Sequence, residues 1–165
     1  MDEVSLTGGA PASATEIALQ RVRLDHYIKA GAGWFLWIAI LSLVNSAVVV
    51  FGGGFHFILG LGITQVVDAV AKGIGEAGIV LDLIINGFVA AVFVLFWSFG
   101  KKAQKWAFVV GMIVYLLDGL LLLAFKDILS VAFHAYALYM IYRGYAAVGP
   151  LAQLERAAGA AITPQ

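Results

Sequence analysis

A few polar residues sit inside runs that are otherwise hydrocarbon: Asn45, Asp82, Asn86, Asp118 and His134. The sharpest case is YLLDGLLLL, residues 115–123, where Asp118 stands among leucines. A carboxyl and an imidazole in such surroundings can hold a proton, accept a headgroup donor or ligate a cation. Either one is costly to leave unpaired in lipid. An acid facing lipid at mid-helix costs roughly 3 kcal/mol when ionised, so Asp118 should turn inward. Asp82 and Asn86 are four residues apart and share one helical face, while Tyr115 lies on the Asp118 side of its own helix. If Asp82, Asp118 and His134 converge, they form a hard and borderline donor set suited to Zn, Mn or Fe, or a relay through an imidazole.

These residues need helices to position them, and composition says what kind. The chain is 62% hydrophobic and 12% charged over 165 residues, with mean hydropathy +0.97. That leaves too few charges to coat a soluble surface. Four apolar runs, at about 33–51, 78–99, 106–125 and 128–145, are each long enough for a ~30 Å hydrocarbon layer at ~1.5 Å per residue. They are continuous rather than alternating, which excludes a barrel. Pro11, Pro150 and Pro164 all lie outside them. The fold expected is an all-α integral membrane bundle of four transmembrane helices, residues 31–147.

The flanks are cytoplasmic in this reading. Residues 1–30 should hold a surface amphipathic helix, opened by a capping box between Ser13 and Glu16 and leading into the first span. Residues 148–165 form a tail with a short helix begun at Pro150. With the amino terminus inside, Arg21, Arg23, Lys29, Lys101, Lys102, Lys105, Arg143 and Arg156 all fall on the cytoplasmic side, and only Lys72 and Lys126 fall outside. Trp34, Trp37, Trp97 and Trp106 mark the same inner edge. The expected location is the cell's inner membrane, crossed several times, with both ends in the cytoplasm.

Between the first two spans, residues 55–74 are apolar enough to suggest another crossing. That crossing would carry Lys101, Lys102 and Lys105 outward, against the charge bias. Ile63, Val66, Val67, Val70 and Ile74 instead form a stripe opposite Thr64, Asp68 and Lys72, as in an amphipathic helix lying at the outer interface or a re-entrant loop. His56 and Asp68 would then cap whatever lies below.

All five intramembrane polar residues fall in the outer half of their spans, and the inner half has no carboxylate or imidazole. An outer polar pocket accounts for this. Its expected residues are Asp118, Asp82, Asn86, His134, Asn45 and Tyr115, binding or transporting a proton, a cation or a lipid headgroup. Two other readings stay open: a structural or accessory subunit of a larger membrane complex, and a membrane-embedded metal-dependent hydrolase or lipid-modifying enzyme. The balance leans away from an enzyme. No cysteine and no nucleotide motif is present, so the sequence requires no cofactor. The net charge of zero and the lack of a large basic cluster argue against nucleic acid. The partners expected are the bilayer and either further copies of the chain or a larger membrane complex.

Overall fold

The computed structural model describes residues 13–50, 61–64, 66–67, 73 and 76–162. Among these, the long elements are four helices: α1 (Ala14–Val50), α2 (Glu76–Gly100), α3 (Lys105–Ala124) and α4 (Ile128–Ile162). No strand occurs among the described residues. Three helices, α1 through Val48, α2 from Leu83 and the whole of α3, are long and apolar enough to cross a membrane. Their outward faces carry large apolar side chains such as Leu83, Ile84, Phe88, Ile113 and Leu117, as contact with hydrocarbon requires. α4 covers the expected fourth run, but that run is less apolar, because it includes His134, Arg143 and several tyrosines.

Two helices are longer than the apolar runs within them. The capping box forms as expected, with Ser13 N donating to Glu16 Oε2 at 2.7 Å and Glu16 N donating to Ser13 Oγ at 3.3 Å. From there α1 runs without interruption through the first span, so the amphipathic flank and the span are one helix. The same holds at the other end, where α4 continues through Pro150 to Ile162 instead of restarting there. Arg21 bonds Glu155 at 3.1 Å, joining the two extensions.

α1 is the spine of the bundle. It packs along both α2 and α4, α3 packs on α4, and α2 meets α3 only sparsely. At the end that carries the α2–α3 turn, the contacts are dense and apolar. The Phe35 ring lies 6.3, 5.7 and 6.1 Å from the centroids of Phe93, Phe96 and Phe108. Each such pair contributes about 0.5–1.5 kcal/mol beyond its buried area. Gly111 makes this possible, since a Cβ there would come 2.5 Å from the Phe35 ring. Gly31 and Gly144 let α1 and α4 touch backbone to backbone: a Cβ on Gly31 would lie 2.6 Å from the Gly144 Cα.

Tight turns reverse the chain after α2 and after α3. In each, an amide reaches back five residues, Gln104 N to Phe99 O and Asp127 N to Leu122 O, the closure of a Schellman cap. The residue that must take positive φ is not glycine in either turn: it is Ala103 at 58° and Lys126 at 59°. Asp127 then opens α4, accepting from Ser130 N at 3.2 Å and from Ser130 Oγ at 2.6 Å.

Candidate functional site

At the opposite end, Asp118 on α3 and His134 on α4 come together. Asp118 lies six residues, ~9 Å, before the end of α3, and it is only 8% exposed. His134 Nε2 stands 2.9 Å from Asp118 Oδ2, and its Nδ1 stands 2.8 Å from the main-chain oxygen of Ser130 one turn back. Tyr115, one turn before Asp118, lays its ring flat on the imidazole, with centroids 4.1 Å apart and planes 14° apart. On the next residue, Gly119, a Cβ would press to 3.3 Å from His134. The absence of a side chain there lets α4 bring its histidine this close.

The carboxylate has further partners that no side-chain pattern could reveal. Gly62 N donates to Oδ2 at 2.8 Å and Ile63 N donates to Oδ1 at 2.9 Å. Residues 62–64 form a helical turn, so Asp118 caps from α3 the free amides at the start of a helix in the outer segment. Gly62 is needed for the approach: a Cβ there would fall 2.9 Å from Leu122 Cγ and 3.2 Å from the Asp118 main-chain oxygen. Asp118 therefore answers to hydrogen bonding from three directions, and the outer segment is tied to α3 through it.

The hydrogen-bond partners fix the proton count of the pair. A main-chain oxygen only accepts, so Nδ1 carries a hydrogen. At 2.9 Å, two lone pairs cannot face each other, so one proton also lies between Nε2 and Oδ2. Whichever atom holds it, imidazole and carboxyl together have zero net charge. That is how two ionisable groups are kept out of water without an uncompensated charge.

The other expected site residues divide. Asn86 donates from Nδ2 to Ser46 Oγ at 2.7 Å, joining α2 to α1, and Asn45 is buried beside Ser46 on α1. The Asn86–Ser46 bond knits α2 to α1 and is separate from the hydrogen bonds of Asp118 and His134. Asp82 lies in α2, but its side chain falls outside the described residues, as do His56 and Asp68 entirely. Among the described residues no group of three His, Asp or Glu side chains is placed to hold a metal ion. In the outer segment Thr64 is fully buried and donates to Leu61 O at 2.7 Å, while Ile63, of the expected apolar stripe, is 40% exposed. The tie to Asp118 holds this turn against α3. Val70, Ile74 and Lys72 lie outside the described residues.

Where α2 and α3 diverge, they leave a groove of about 490 Å³. Phe88 and Val92 of α2, Leu117 and Leu121 of α3, and Leu61 and Ile63 of the outer segment line it. Asp118 is the one polar side chain among its described lining residues. Phe88, 70% exposed, and Leu117, 60% exposed, mark a sideways opening onto the outer surface of the bundle. The space beside the polar pair is therefore apolar and lateral, where the sequence suggested a polar pocket. No family model matches this chain, and no curated protein or solved structure proves similar to it.

Proposed function

We propose that this chain is a multi-pass protein of the cell's inner membrane, with four spanning helices and both ends cytoplasmic, that binds a membrane amphiphile in the groove between α2 and α3. The observation that carries this reading is the groove itself: an apolar slot opening sideways from a hydrocarbon-compatible surface, with one carboxyl at its wall. Its volume lies within the ~300–1,000 Å³ usual for ligand pockets, and the mixture of many apolar walls with few polar groups is also usual. A lipid chain can enter from the bilayer without crossing water. Its polar end then meets Asp118 and the outer segment that Asp118 holds in place.

The test is a census of lipids that copurify with the protein from native membranes, compared between the natural chain and Val92→Trp, which fills the groove. The expected result is a lipid class bound near one per chain in the former and lost in the latter. Equal lipid content in two folded proteins would reject the reading.

A second reading, that of an accessory subunit in a larger membrane complex, is favoured by one observation. Asp118 accepts at once from two backbone amides of the outer segment and pairs with His134 of α4, as in a residue that holds elements together. Copurification of stoichiometric partner proteins, with the groove variant retaining them, would support it.

A further inference from the structure

The proposed groove does not favour all amphiphiles equally, and the chemistry of its single polar wall selects among them. Resting on the reading that the groove holds a membrane amphiphile, we infer that its ligand is a neutral, hydroxyl-bearing lipid of the glyceride or long-chain alcohol class. The hydroxyl donates a hydrogen bond to Asp118 Oδ1.

Two features of Asp118 lead there. The first is acceptor capacity. A carboxylate has roughly two acceptor positions on each oxygen. Oδ2 uses both, facing Gly62 N and His134 Nε2, while among the described residues Oδ1 takes only Ile63 N. One acceptor position therefore stays open on the one polar side chain among the groove's described lining residues. A head that only accepts, such as an ester or a carboxylate, has nothing to offer it.

The second feature is charge. The Asp118 and His134 pair already contains its balancing proton, fixed by the Ser130 contact on the other side of the ring. An ammonium head entering here would lose its water shell beside a pair with no net charge to repay it, and an anionic head would face the filled lone pairs of Oδ1. A hydroxyl loses little on leaving water and gains one hydrogen bond. Tyr115, stacked on the imidazole, and Asp127, which binds Ser130, are the other titratable groups around the pair on α3 and at the start of α4.

The experiment places the full chain in phosphatidylcholine nanodiscs and adds three twelve-carbon probes, each with the same photoreactive group on its chain. The heads are an alcohol, a primary amine and a carboxylate. Crosslinks are mapped by mass spectrometry and referred to labelling of Ile113 and Leu116, which face outward on α3 away from the groove. The alcohol should label Phe88, Val92 and Leu117 about ten-fold above the other two probes, the discrimination expected of one hydrogen bond that only it can make without burying a charge. Preferential labelling by the amine or the carboxylate would overturn the inference. Equal groove labelling by all three, abolished by Val92→Trp, would also overturn it while leaving the groove as an amphiphile site. Failure of all three to label above the reference positions would reject both. Circular dichroism of Val92→Trp keeps loss of fold distinct from loss of binding.

Discussion

The two ends of this bundle solve the same packing problem with opposite materials. Around the α2–α3 turn, helices approach through glycine and fill the space with aromatic rings: Gly31 against Gly144, and Phe35 against Gly111, Phe93, Phe96 and Phe108. Around the α3–α4 turn, helices are joined by single polar contacts, Ser46 with Asn86 and Asp118 with His134, and α2 stands off from α3 to leave a groove. Close packing of apolar groups is self-sufficient, because any well-fitting neighbour serves. Polar joints in an apolar medium are directional, so they hold helices at fixed points and tolerate space beside them. Close packing and open space are thereby allotted to different ends.

The contrast can be broken most severely at Asp118. Asp118→Ala strands the amides of Gly62 and Ile63 and leaves His134 Nε2 without its partner, and breaking a buried pair in this way costs about 3–5 kcal/mol. Thermal unfolding in detergent should show a Tm far below that of the natural chain. A change at the apolar end comes next. Gly144→Val must force α1 and α4 apart at their backbone contact, an overpacking cost of about 3 kcal/mol. The same melt should show it as a lower Tm.

Smaller effects sharpen the comparison. Ser46→Ala removes one interhelical hydrogen bond of a kind that averages about 0.6 kcal/mol in membrane proteins. A double-mutant cycle with Asn86→Ala should return a coupling of that size, well below the Asp118 effect. Ala103→Gly should go the other way. It relieves a positive φ in the cap between α2 and α3 and raises stability by a few tenths of a kcal/mol, read as a slightly higher Tm.

Much of the helical framework was legible because long apolar runs admit few alternatives. The limits of α1 and α4 were not. The surface helix of residues 1–30 and the span from about 33 read as successive elements, yet α1 runs through both, and Gly31 serves contact with Gly144. Pro150 read as a start, yet it lies within α4, whose extension is held by packing on α1 and by Glu155. The depth of Asp118 and His134 along separate helices indicated that they could meet, and they do. Their other partners left no trace, since the amides of Gly62 and Ile63 are backbone groups that every non-proline residue carries. Periodicity along the stripe from Ile63 records an apolar face but not a hydrogen bond imposed from another helix. Gly119, beside Asp118, was the available clue that α4 must come close at this level.

Asp118 fastens the outer segment by accepting its first amides next to the groove. Hydrogen exchange at Gly62 and Ile63, resolved by NMR in nanodiscs, tests this most directly. Both amides should be strongly protected in the natural chain and should exchange at least about ten-fold faster in Asp118→Ala, while amides near Phe35 keep their protection. Equal exchange at Gly62 and Ile63 in the two proteins would contradict the claim.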